Sequence, residues 1–355
     1  MTKENQSKAF LSRAECNLMR GFAILIIVLN NFTHCLKGVI LDNEYMFGWN
    51  RIEKFLDNLS HPDGLLPFNL LSFYCPYGVL LFIFLSGYGL TLKYEKGNGQ
   101  GTSHKDFVVN HYNKLFVMQV KGLALYFAFV LLCQISFELK GVHLLFQTLL
   151  VGNLNPYQSI MPGPYWFFGM IMEMYVIFRL FVYRRKDVFV VALIVLSLIA
   201  MAVAGPESDA TLYLRINCCI AILPFCLGVL AARHFNSTSL SIHKGGVCLG
   251  WLALSFILLT ISKFNFFSWL IMPIFVIGTA VAIVKLISRV RLLDSVFGWL
   301  GALSGVLFVV HPSVREIVLK NGGFFDGYYS AAAFYLLITF GLCIILRPAF
   351  SSKKQ

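Results

Sequence analysis

The chain has 355 residues, of which 58% are hydrophobic and only 13% charged. That balance excludes an ordinary soluble domain and a disordered chain, and it fits a protein that crosses a membrane many times. The formal net charge of +12 would suggest nucleic-acid binding in a soluble protein, but here the basic residues lie beside apolar stretches. Membrane orientation and anionic headgroups account for them, and no nucleic-acid partner is expected.

About 20 apolar residues cross a bilayer as a helix. Ten such stretches are predicted, near 18–36, 74–92, 115–136, 165–183, 187–204, 216–232, 246–262, 267–287, 296–312 and 329–346. They define an all-α polytopic membrane bundle of about ten transmembrane helices over 18–346, preceded by an N-terminal segment 1–17 and followed by a tail 347–355. With the N-terminus placed inside, the inner segments carry nineteen Lys and Arg and the outer segments eight. That excess predicts both termini in the cytoplasm. The first apolar run ends in no small-residue cleavage site, so it is expected to remain as a membrane anchor.

The segments between spans add three expectations. Residues 37–73 form a long outer segment rich in charges, including Arg51, Glu53, Lys54, Asp57, His61 and Asp63. The inner segment KYEKGNGQGTSHKD at 93–106 reads as a flexible loop, since its glycines match no phosphate-loop pattern. The apolar piece GVHLLFQTLLVG, which starts at Gly141, is too short to span and predicts an interfacial or re-entrant helix. The nine cysteines contain no C-x-x-C pair, so free thiols are expected rather than a metal site or a disulfide framework. No metal-ligand spacing occurs, and no permanently bound cofactor is expected.

In chain order, the first polar constellation lies in LMRGFAILIIVLNNFTHC at 18–35. At about 100° per residue, Arg20, Asn31 and His34 fall within roughly 60° of one another, and Asn30 lies about 80° from Arg20. Arg20 and His34 are about 21 Å apart along the axis. Together they predict a polar track at two depths, with Arg20 binding an anion near the inner face and His34 acting as a base further in. Snorkelling of Arg20 and interhelical hydrogen bonding by Asn and His are the structural alternative.

The second constellation is FIFLSGYGL at 82–90, where Ser86, Gly87 and Gly89 permit close helix approach and Tyr88 places a hydroxyl inside the bundle. The third is His111-x-x-Lys114, one helical turn apart, suited to donor phosphates or to a lipid headgroup. The fourth is PGPYWFFGMIMEMYVIFR at 162–179. Tyr165 and Trp166 are expected at the membrane interface, whereas Glu173 falls mid-span and needs a partner or an aqueous cavity. Arg179 lies on another face of that helix. The fifth is His311-Pro312, expected near the outer surface beside Arg315 and Glu316, either capping the helix end or lining the mouth of a cavity.

The order and spacing of NLMRGFAILIIVL at 17–29, YGVLLFIFLSGYGL at 77–90, PYWFFGMIMEMY at 164–175 and LGALSGVLFVVHP at 300–312 resemble the integral-membrane acyltransferase 3 family. The resemblance covers nearly the whole chain. It implies ten or so membrane helices in a bacterial inner membrane, a cytoplasmic acyl-CoA donor and O-acylation of an envelope glycan or glycolipid. On that reading His34, Asn31, Asn30 and Arg20 are the catalytic candidates, and Arg20, His111 and Lys114 hold the acyl-CoA. Tyr88, Tyr165, Trp166, Glu173 and His311 are the substrate-binding candidates. The chain departs from the family where the first helix typically has Arg, ten residues, then His: counted from Arg20, that position is Asn31. The base is then expected at His34, one turn further along the same face. A transporter or flippase, and a degenerate family member without catalysis, are the competing readings.

Overall fold

The computed structural model describes residues 9–41, 46–134, 141–155, 160–242, 244–320 and 325–350. The terminal segments are therefore seen only from residue 9 and up to residue 350. Among the described residues the regular structure is helical, apart from one antiparallel bridge between Ala9 and Asn236.

The first helix, α1 (Arg13–Thr33), starts at a reciprocal cap. Ser12 Oγ accepts from the Glu15 amide at 3.2 Å, and Glu15 Oε2 accepts from the Ser12 amide at 2.8 Å. This arrangement satisfies two helix-end donors at once. Two helices follow in the long segment, α2 (Trp49–Ser60) and α3 (Leu66–Tyr74), and α4 (Gly78–Tyr94) comes next. The expected second span at 74–92 is therefore mostly the single helix α4, and α3 lies before it in the expected outer segment, the two separated at Cys75-Pro76-Tyr77, where Pro76 has no N–H to continue the ladder. Together α3 and α4 make a stretch of 29 residues, Leu66–Tyr94, long enough to cross a bilayer.

The chain continues as α5 (His104–Leu132), α6 (Gly141–Thr148) and α7 (Trp166–Ile177). A single 3-10 turn, Gly163–Tyr165, precedes α7, and a π turn, Phe178–Val182, extends it. Then come α8 (Asp187–Ala204), α9 (Asp209–Leu214), α10 (Cys218–His234) and α11 (Gly245–Ser262). The last four are α12 (Phe266–Leu270), α13 (Met272–Ile287), α14 (Arg291–Lys320) and α15 (Tyr328–Phe350).

Among the described residues eight helical stretches are long and apolar enough to cross a membrane. The remaining two expected spans coincide with α10 and α13, apolar helices of 17 and 16 residues. At 1.5 Å per residue these are shorter than the roughly 30 Å hydrocarbon core. The ninth expected span also differs. It does not stop at His311-Pro312, because α14 runs through Pro312 to Lys320 as a helix of 30 residues. The short apolar piece at 141 is a helix of 8 residues.

Two glycine seams set the centre of the bundle. A Cβ added to Gly21 would come within 2.0 Å of the Phe297 carbonyl, and one added to Gly301 within 2.0 Å of the Asn17 carbonyl. Helices α1 and α14 thus touch backbone to backbone, the approach that small residues permit where no hydrophobic effect drives helices together. Helices α4 and α10 do the same: a Cβ added to Gly87 would come within 2.1 Å of the Phe225 carbonyl, and one added to Gly228 within 2.2 Å of that of Phe84. Gly87 packs as its motif suggests, whereas Gly89 has open space beside it. Around this centre α8, α11 and α15 lie at the periphery, with exposed apolar side chains such as Leu196, Leu249, Leu337 and Ile345.

Charges lock one end of the bundle. Arg233 at the end of α10 binds Glu95 through Nη2 at 2.6 Å and Nε at 2.9 Å, and Asp187 at the start of α8 through Nη1 at 2.7 Å. At the same end the Tyr88 hydroxyl accepts from the Leu11 amide at 2.9 Å and donates to the Leu11 carbonyl at 3.0 Å. Lys285 binds Glu15 at 2.7 Å and the Phe10 carbonyl at 3.1 Å. The segment leading into α1 is thereby pinned to α4 and α13.

Candidate functional site

Helix α1 ends in Asn30, Asn31, Phe32 and Thr33, and His34 is its C-cap. Asn30 is buried, and its Nδ2 donates to the Ser72 carbonyl at 3.3 Å. That contact fixes the orientation of the amide, so the Asn30 atom at 3.2 Å from His34 Nδ1 is the carbonyl oxygen Oδ1. A carbonyl oxygen only accepts; His34 Nδ1 therefore carries the proton and Nε2 keeps its lone pair. The chain from Ser72 through Asn30 thus assigns the tautomer of His34 and leaves the nitrogen a general base requires.

His34 lines a cavity of about 280 Å³ together with Asn31, Cys35, Trp166, Arg215 and Arg315. Asn31 Nδ2 donates to the Ile27 carbonyl at 3.0 Å, and its Oδ1 accepts from Arg315 Nη1 at 3.2 Å. Arg315 Nη2 binds Glu316 at 3.0 Å. Asn31 is therefore a bracket for Arg315, and one of the two Asn31 Nδ2 hydrogens remains unassigned. Asn30 does not line the cavity; it positions His34 from behind.

Arg20 lies at the other end of α1. Its side chain is exposed and lines a cavity of about 410 Å³ with Arg13, Ser12, Tyr88, Lys93 and Asn98. Among the described residues three cations and no carboxylate line this cavity. The two cavities have no lining residue in common. Among the described residues, Gly21, Ala23 and Ile24 of α1 are buried between the two cavities.

The other sequence-derived candidates are distributed as follows. His111 Nδ1 donates to the Phe107 carbonyl at 2.7 Å, and its ring packs on Tyr175 at 4.8 Å and Phe107 at 4.3 Å. Lys114 is exposed. Neither lines the Arg20 cavity, where Arg13 and Lys93 stand instead. Tyr88 reaches that cavity, but its hydroxyl serves the Leu11 backbone. Tyr165 is buried and donates to the Val309 carbonyl at 3.0 Å, whereas Trp166 lines the His34 cavity.

Glu173 finds its partner at a helix end. Its Oε2 accepts from the Cys218 amide at 2.7 Å, at the N-terminus of α10. An anion is favoured there by the helix dipole and the unpaired amides. Glu173 lies apart from the residues lining the His34 cavity. His311 differs most from expectation. It is 0% exposed, inside α14, with Nδ1 on the Leu307 carbonyl at 2.9 Å. It neither caps the helix end nor lines a cavity mouth, because α14 continues past Pro312. The residue that reaches the cavity is Arg315, one turn further on. The sequence placed Arg315 beside His311 without giving it a role, and Arg215, Arg13 and Lys93 counted there only as orienting charges. The available signal for Arg315 was its spacing from His311 on a continuing helix.

A family profile for an acyltransferase domain matches residues 13–347. No curated protein and no solved structure matches the chain. Because the family match runs from the first residue of α1 into α15 and takes in the whole His34 cavity, the chain belongs to the acyltransferase 3 family, a family of membrane acyltransferases.

Proposed function

We propose that the protein moves an acyl group, most simply acetyl, from cytoplasmic acyl-CoA to a hydroxyl of an envelope or exported glycan or glycolipid. The N-terminus faces the cytoplasm, so the Arg20 cavity opens inward and the His34 cavity lies toward the outer leaflet. The observation that carries this reading is the Asn30 Oδ1 contact to His34 Nδ1 at 3.2 Å, which leaves Nε2 basic in a cavity that also holds Asn31 and Arg315.

Arg20, Arg13 and Lys93 bind the phosphates of acyl-CoA as a cluster of positive charges. The thioester arm passes along α1 between Arg20 and Ile27, a distance of about 10 Å at 1.5 Å per residue. Side chains near Ala23 and Ile24 move aside to admit it. His34 Nε2 then removes the proton from the acceptor hydroxyl, whose oxygen attacks the thioester carbonyl. The remaining Asn31 N–H donates to the oxyanion. Collapse of the tetrahedral intermediate expels the CoA thiolate, which takes the proton back from His34. The products are the ester and CoA.

The test is acetyl transfer to surface glycan in cells carrying the wild-type chain or His34→Ala, combined with thermal unfolding of both purified proteins with acetyl-CoA. His34→Ala is expected to lower transfer by about 100-fold or more, with unfolding and acetyl-CoA stabilisation unchanged. Undiminished transfer removes His34 from the mechanism, and absence of acetyl-CoA stabilisation in the wild type removes the donor.

A further inference from the structure

The His34 cavity carries more positive charge than removal of a proton requires. Arg215 and Arg315 both line it, and among the described residues no carboxylate does. Arg315 is 8% exposed, and its Nε–H has no partner among the described residues. Nη1 is held by Asn31 and Nη2 by Glu316 at 3.0 Å, so the guanidinium is held rigidly while Nε–H and one Nη2–H are left over. Nε is sealed from the cavity, so what Arg315 offers a ligand there is the rest of its guanidinium. Glu316 offsets part of the Arg315 charge, but it lies outside the cavity lining, and Arg215 adds a second guanidinium.

Resting on the acyl-transfer reading, we propose that the acceptor unit is anionic: a sugar bearing a carboxylate or phosphate, held by Arg315 and Arg215 while a neighbouring hydroxyl is presented to His34. Guanidinium groups match the planar, two-oxygen geometry of these anions better than they match neutral hydroxyls. Trp166 in the same wall supplies the flat apolar surface that a sugar ring packs against. The volume, about 280 Å³, is at the small end of ligand pockets. It suits one acidic unit of a longer glycan rather than a polymer segment.

The test uses the full chain in lipid nanodiscs and three probes at millimolar concentration: methyl glucuronide, glucose 6-phosphate and neutral methyl glucoside. At least one anionic probe is expected to bind ten-fold or more tightly than methyl glucoside by calorimetry. The stronger of the two anions identifies carboxylate or phosphate as the recognised group. Arg315→Gln and, independently, Arg215→Gln are expected to abolish this preference, and Arg315→Lys to retain part of it. Stabilisation by acetyl-CoA reports the folded state of each variant. Equal affinity for all three probes in the wild type overturns the proposal, as does a preference unchanged in both glutamine variants. Loss of acetyl-CoA binding by the wild type with the anion preference intact overturns the acyl-transfer reading instead.

Discussion

Asn30 determines what His34 is able to do. Because Ser72 holds the Asn30 amide, Asn30 Oδ1 holds the imidazole, and the ring keeps one tautomer and one orientation. Asn30→Leu removes that acceptor without removing the base. The expected result is a fall in kcat of about 10-fold or more, as for loss of other supporting hydrogen bonds at a site. KM for acyl-CoA should be unchanged, because the cations expected to bind it lie in the other cavity. Initial rates at varied acyl-CoA check this, and a change confined to KM defeats it. Position 31 provides a second test at the same scale. Asn31 and His34 line one cavity, so a histidine introduced at 31 reaches the same space. The double variant His34→Ala with Asn31→His is expected to regain transfer over His34→Ala alone by about 10-fold, part of what a positioned base supplies. No regain means that position 31 cannot present a base to the acceptor.

The scale of elements explains why Arg315 stands beside the end of α1 at all. The α1–α14 seam is a contact between backbones, set by Gly21 and Gly301. Gly301→Leu forces the helices apart, since its first added carbon meets the Asn17 carbonyl at 2.0 Å. A loss of about 1–3 kcal/mol is expected from such overpacking, together with lost transfer as Arg315 moves from Asn31. Gly341 in α15 is the control, because a Cβ there meets nothing within 4 Å. Gly341→Ala is expected to hold or raise stability by up to about 1 kcal/mol through helix propensity alone. Thermal unfolding in detergent separates the two, and equal midpoints would contradict the close seam. Sequence reading found the Gly87 approach from its motif but not the partners of either seam. The SRAE run at 12–15 carried a legible capping signature, yet the identity of what Glu15 also binds, Lys285, was not in it.

At the scale of the whole molecule, ends and sides matter. Arg233 joins α10 to Glu95 on the chain after α4 and to Asp187 of α8, with the Arg233 and Glu95 side chains each 11% exposed. Arg233→Met leaves Glu95 charged and largely buried without its partner. The expected cost is about 3 kcal/mol, because removal of one partner strands the other. A thermal midpoint unchanged from wild type would show the network to be dispensable. Orientation is tested by labelling. Cys35 follows α1 and Cys133 follows α5, and both are exposed. With the N-terminus inside, a membrane-impermeant maleimide added to intact cells is expected to modify these two, read by peptide mass. Modification only after permeabilisation reverses the orientation.

The sequence alone determined the membrane class, the order of the apolar helices and the family, because long apolar runs and charge placement are local properties of the chain and the motifs are linear. It also placed Arg20, Asn31 and His34 on one helix face, because helical periodicity needs no tertiary information. Only the folded bundle decided the rest. Pro312 does not end α14, so His311 lies in the core rather than at the expected surface, and Arg315 takes its place at the cavity. Glu173 found a helix end in α10, forty-five residues away in sequence, which no spacing rule relates to it. Packing around Ala23 and Ile24, buried between the two cavities, is set by helices distant along the chain, and a one-dimensional pattern records which residues are polar but not which of them share a space.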